Sequence, residues 1–231
     1  MELDPIEIME ILKEKGITHL YHANTVQTAS SFIKAGGLFS RGAMEDAEYL
    51  QTPQSSDELD KQFNVWYDIF LDSSDLHSLF NRQNHYGPVL FKFDVEILSQ
   101  EGLPPLWVTT TNPIYWDENS KEEERYFQST QEVNEGYTDT SYRQMITLRN
   151  TSSPLLFEPY LEEIILDNPG VRIGDVILKK KASEALAEVI AENDYILKNV
   201  KKRMRKCSNC WCKENYLRQR TASELKLAFY P

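Results

Sequence analysis

The stretch YHANTVQTASSFIKAGGLFSR, residues 21–41, decides how this chain is read. A histidine closes a short run, ITHLYHA, whose composition predicts a β-strand. Asn24 or Thr25 then offers an N-cap, and Ala29, Phe32 and Ile33 recur at helical spacing through Lys34. Gly36 or Gly37 suits a left-handed C-cap. Taken alone, this is an ordinary strand–helix–turn, and a histidine on such a strand is more often a core residue than a ligand. The functional question is what else in the chain meets His22.

Upstream, residues 3–15 carry Ile6, Ile8, Met9, Ile11 and Leu12 on an amphipathic helix that Gly16 ends. Downstream, residues 40–61 are polar and acidic and read as a long loop or lid, with a short helix near Asp57. VWYDIFLD (65–72) is β-rich, and SSDLHSLFNRQN after it reads as a helix capped by Ser73, Ser74 or Asp75. GPVLFKFDVEIL (87–98) and PPLWVTTTN (104–112) read as strands, the second ending in a polar turn. Residues 118–136 read as a helix plus a loop, and EEIILD (162–167) as a short buried strand that VILKKK extends. Leu186, Val189, Ile190, Ile196, Leu197 and Val200 predict one long helix over 182–206. Strands and helices interleave without regular βαβ spacing, which favours a mixed or antiparallel α+β architecture.

The 231 residues suit one large domain, or a domain with a small appendage. No apolar run approaches the ~20 residues of a membrane helix. The acidic start lacks the basic and apolar regions of a secretory signal. The expected address is therefore the cytoplasm, with no membrane contact. Net charge is −11, yet residues 198–220 hold nine Lys/Arg against one acid, Glu214. Such asymmetry marks either a nucleic-acid or partner contact, or a basic face that complements the acidic body. Cys207, Cys210 and Cys212 form CSNCWC. Their spacing could offer three thiolates to zinc, but a fourth ligand would have to come from a distant histidine or another chain. Reduced, unligated thiols and no metal are the expectation.

There is no G-x-G-x-x-G, P-loop lysine motif, H-E-x-x-H or G-x-S-x-G. What remains is His22 at a strand end, the TTTN strand exit, and the carboxylate pair Glu162 and Glu163 opening an apolar strand. If Ile164 and Leu166 pack on one face, Glu163 and Ile165 share the other. One carboxylate is then solvated, and the other lines a cleft or forms an exposed strand entry.

Three blocks in order resemble ADP-ribosyltransferases, particularly the DarT-like toxins that modify nucleic acid. ITHLYHANTVQTASSFIKAGGLFSR is similar to the family's histidine strand, helix and arginine exit. VWYDIFLDSSDLHSLFNRQNHYGPVLFKFDVEIL with LWVTTTNPIYW resembles its aromatic strand, helix, central strand and substrate-loop strand. YLEEIIL is similar to the strand that carries the catalytic glutamate. The resemblance spans roughly residues 17–178.

The resemblance implies an ADP-ribosyltransferase-like mixed sheet split around an NAD cleft, with flanking helices and a long C-terminal helix. Residues 1–180 would be the catalytic domain and 181–231 a basic helical extension with the Cys cluster. It implies transfer of ADP-ribose from NAD to a base of single-stranded DNA or RNA, by a toxin that an antitoxin restrains in phage defence. Glu163 takes the catalytic place. The family's arginine position holds Ser/Asp here, leaving Arg82 or Arg41 for that role. His22, Asn24 and Thr25 would hold NAD, and Tyr67 and Phe70 would stack on the nicotinamide. Two other readings stay open: transfer to protein or hydrolysis of NAD, and a non-catalytic module that holds a nucleotide or an RNA end.

Overall fold

The computed structural model describes residues 2–138, 143–207 and 210–231. The strands are β1 (His19–Asn24), β2 (Gly37–Leu38), β3 (Ile69–Asp72), β4 (Val89–Asp94), β5 (Leu106–Val108), β6 (Met145–Leu148), β7 (Leu155–Leu156), β8 (Leu161–Leu166), β9 (Arg172–Ile173), β10 (Val176–Ile177) and β11 (Lys201–Met204). Seven of them form one sheet in the order β11-β8-β4-β1-β3-β6-β5, while β2 pairs β7 and β9 pairs β10. Within the large sheet β11 runs parallel to β8, and the other neighbours are antiparallel. This is the expected α+β architecture.

The first helix, α1 (Pro5–Glu14), is capped by Asp4, whose side chain accepts from the Ile6 and Glu7 amides. Helix α2 (Val26–Ala35) starts at Thr25, whose hydroxyl accepts from the Thr28 amide, and stops at Gly36 in the left-handed conformation. The opening stretch thus folds as its residues dictate. Helix α2 buries Phe32 edge-on to both His22 and Phe91, which fixes it on one face of the sheet.

Residues 40–61 hold the expected short helix near Asp57, α4 (Asp57–Gln62), but also one not expected: Ser40 accepts from the Ala43 amide and starts α3 (Arg41–Asp46). Helix α5 (Leu76–Phe80) is capped by Asp75. The charged stretch after β5 gives α6 (Glu122–Arg125) and α7 (Thr130–Gly136), and β6, unread in the sequence, follows.

The C-terminal region departs most from expectation. VILKKK does not extend the sheet: β10 stops at Ile177, and the lysines open α8 (Leu178–Glu192). The long helix breaks at Asn193, whose side chain donates to the Val189 carbonyl. After α9 (Asp194–Leu197), residues 201–204 join the sheet as β11. The reason is tertiary: Lys201 and Arg203 lie beside Glu163 and pair with it, which outweighs lysine's helical preference. Helices α10 (Cys212–Gln219) and α11 (Ala222–Phe229) complete the chain. Leu186, Tyr216 and Phe229 bury in the same core as Phe32 and Phe91. Residues 181–231 therefore supply a strand and core side chains as well as helices.

Candidate functional site

β1 and β4 pair over six residues, whereas β1 and β3 meet only at Tyr21 and Asp72. Beyond that point the two strands part. His22 spans the opening: its Nδ1 is 2.9 Å from the Phe70 carbonyl oxygen. The carbonyl can only accept, so Nδ1 carries the proton and Nε2 holds a free lone pair. Nε2 is buried and has no hydrogen-bond partner among the described residues. Burial lowers the ring's pKa, which keeps it neutral.

A cleft with about 90 Å³ of open volume lies at this split, lined by His22, Asn24, Phe70, Asp72, Tyr86 and Asn112 among others. Asn24 Oδ1 accepts from the Thr25 amide at 2.9 Å and from Gln54 Nε2 at 3.1 Å. Gly87 presses against this β1 exit. A Cβ there would stand 2.2 Å from the Asn24 carbonyl carbon, and its φ is +149°. The exit is held by a close backbone approach that glycine permits.

Carboxylates ring the cleft, and their environments differ. Asp68 is ion-paired with Arg149 at 3.0 Å and accepts from the Asn150 amide. Asp60 accepts from Ser56 at 3.1 Å. Burial raises both to about 6. Asp72 is pushed up to about 7 by burial alone. Burial also drives the Tyr86 phenol up to about 12, with Asp72 adding to the rise.

A second, larger cavity of about 540 Å³ adjoins the first and shares Gln54, Ser56, Tyr86, Asn112 and Ile114 with it. Arg82, Arg220, Phe80 and Tyr115 line it.

The structure brings together only some of the residues singled out in the sequence. His22, Asn24, Phe70 and Arg41 line the narrow cleft. Arg41 is already engaged, 2.7 Å from Asp57 and 3.0 Å from the Thr52 carbonyl. Thr25 and Arg82 face the larger cavity. Tyr67 lines neither; its hydroxyl donates to Asp46 at 3.1 Å.

Glu163 stands elsewhere. Tyr21, Lys92 and Glu163 are cross-strand partners, as are His22, Phe91 and Ile164. Adjacent residues face opposite ways, so Glu163 lies on the sheet face opposite His22, a face that Asp72, the partner of Tyr21, shares. What separates the two carboxylates is their place along the sheet, since Asp72 stands at the split and Glu163 does not line the cleft. Three strand steps of about 4.8 Å put Glu163 roughly 14 Å from Asp72 along the sheet. Its carboxylate is held by Arg203 at 2.7 Å and Lys201 at 3.3 Å, cations that keep its pKa low against the effect of burial. A bulge beside Lys92 takes Glu162 out of the alternation, where it meets Lys92 and His19 at 2.9 and 3.0 Å.

Sequence reasoning missed Asp72, Tyr86 and Gln54. Asp72 did carry a signal: it ends the apolar strand IFLD, where an unpaired carboxylate is costly.

No protein-family description matches the chain, and no curated protein matches it in sequence. Solved structures do match in shape. DarT of Thermus sp. 2.9 in complex with ADP-ribosylated ssDNA aligns with a TM-score of 0.53 at 10% identity, over 83% of this chain and 95% of that one. The same protein in complex with NAD+ gives 0.46 at 12% identity, over 82% and 96%. The chain has the DarT ADP-ribosyltransferase fold.

Proposed function

We propose that this protein is an ADP-ribosyltransferase that takes NAD into the split between β1 and β3 and transfers ADP-ribose to a base of single-stranded nucleic acid. The observation that carries the reading is the buried, unpartnered Nε2 of His22 at that split, on a fold whose solved counterpart was captured with ADP-ribosylated ssDNA.

The residues divide the work as follows. His22 Nε2 accepts a hydrogen bond from a ribose hydroxyl, and Asn24 with the adjoining backbone holds the nicotinamide amide. Phe70 gives the nicotinamide ring an apolar wall. The bond from nicotinamide nitrogen to ribose carbon breaks, and its electron pair leaves with neutral nicotinamide. The ribose then resembles an oxocarbenium ion, which a fixed carboxylate stabilises. The acceptor base attacks that carbon and gives up a proton to a general base.

Two carboxylates compete for this work. The resemblance assigns it to Glu163, which is paired with two cations on β8, two strands away from β1. The cleft favours Asp72, which lines the same space as His22 and titrates near neutrality. We assign the carboxylate role to Asp72. The larger cavity, with two arginines and the rings of Phe80, Tyr86 and Tyr115, suits a single strand through phosphate contacts and stacking. On this reading, a partner antitoxin in phage defence is the setting that the DarT resemblance implies.

Calorimetry with NAD, combined with nicotinamide release, tests the assignment. Asp72→Asn should bind NAD and release nicotinamide at least about 100-fold more slowly, whereas His22→Ala should weaken binding. Normal turnover by Asp72→Asn with loss of turnover in Glu163→Gln would return the role to Glu163. Binding without release by the wild type would favour the non-catalytic module.

A further inference from the structure

Away from the cleft, α5 carries His77, while Cys207, Cys210 and Cys212 follow β11 and open α10. Their ligand atoms all lie within 4.8 Å of one another. His77 Nε2 is 3.0 Å from Cys210 Sγ and 4.0 Å from Cys207 Sγ. His77 Nδ1 is 2.7 Å from Asp167 Oδ2, so Nδ1–H donates to the carboxylate and Nε2 is the ring nitrogen that faces the sulfurs. Arg205 donates to Asp167 at 2.9 Å, and the Cys212 amide donates to Cys210 Sγ at 3.2 Å.

We propose that His77, Cys207, Cys210 and Cys212 form a tetrahedral zinc site that closes the C-terminal part of the chain onto the sheet. The three thiols alone lacked a fourth donor in the sequence; α5 brings it from 130 residues away from Cys207. Zinc bonds of about 2.0–2.3 Å imply ligand–ligand edges of about 3.5–3.8 Å, so small shifts, with the 3.0 Å His77–Cys210 pair opening and the wider pairs closing, enclose the ion. A zinc ligand must offer a lone pair, so any protons that the thiols and His77 Nε2 carry are released to solvent on binding. A carboxylate behind the histidine is the usual support for such a ligand. A nucleophilic Cys–His pair would need an open approach to the sulfur. Here Cys212 is fully buried, and Cys207 and Cys210 pack against the core. With four protein ligands and no open position, the site is structural. It fixes α5, whose Leu76 and Phe80 wall the larger cavity.

Elemental analysis of the full chain, purified under reducing conditions without chelator, should find one zinc per chain. Exchange for cobalt(II) should give the intense visible bands of a tetrahedral site and a thiolate charge-transfer band. Cys210→Ser and His77→Ala should each lower occupancy to about one tenth or less, and Asp167→Asn should weaken zinc binding about 10–100-fold. Zinc-free wild type that also gives no tetrahedral cobalt spectrum would overturn the site. So would full occupancy in Cys210→Ser. The wild-type readings need no variant to fold.

Discussion

Asp72 is the residue to which the proposed function assigns the chemistry. Its folded-state pKa, about 7, lies above its ordinary value of 3.8 because of burial. Between those values the folded protein holds a proton that the unfolded chain gives up. Stability therefore falls as pH rises from about 4 to 7 and stays reduced above it. Asp72→Asn removes that loss, and should gain about 1–3 kcal/mol over wild type at pH 8 but nothing at pH 4, measured by urea denaturation. If Asp72 acts as base, transfer should also rise with pH through about 7. Arg205 is the opposite case. It is buried and bonded to Asp75 at 2.7 Å and to Asp167 at 2.9 Å. Arg205→Ala strands two enclosed carboxylates and should cost about 3–5 kcal/mol by the same measurement.

At the scale of elements, the strand–helix–turn of residues 21–41 was legible because cap, apolar spacing and terminal glycine agree on one structure. Helix α3 was hidden by a polar sequence whose only start signal is Ser40. β11 was hidden because KKRM has no strand preference; its position follows from Glu163 on β8, and from Asp75 at the cap of α5 that holds Arg205 just beyond the strand, both far away in sequence. The β1 exit rests on Gly87, where an added Cβ would strike the Asn24–Thr25 backbone. Gly87→Ala should therefore destabilise the fold by more than about 1 kcal/mol and weaken NAD binding as Asn24 shifts, read by thermal unfolding and calorimetry.

For the whole molecule, the α+β class and the split sheet were within reach of the sequence, because the order of the blocks survives at 10% identity to a solved fold. Which carboxylate stands at the split was not. Alternation put Glu163 and Ile165 on one face, but the strand order decides that β4 and β1 stand between Glu163 and Asp72, and that Asp72 lines the cleft with His22. Part of the basic run is likewise spent on ion pairs within the chain: Lys201, Arg203 and Arg205 meet Glu163, Asp75 and Asp167. Arg220 remains at the larger cavity.

The central claim is transfer of ADP-ribose from NAD to nucleic acid. Mass spectrometry of a mixed-sequence single-stranded DNA or RNA oligonucleotide, incubated with the protein and NAD, tests it directly. The account predicts one added ADP-ribose on a defined base, lost with Asp72→Asn. NAD consumed with the oligonucleotides unmodified would contradict it.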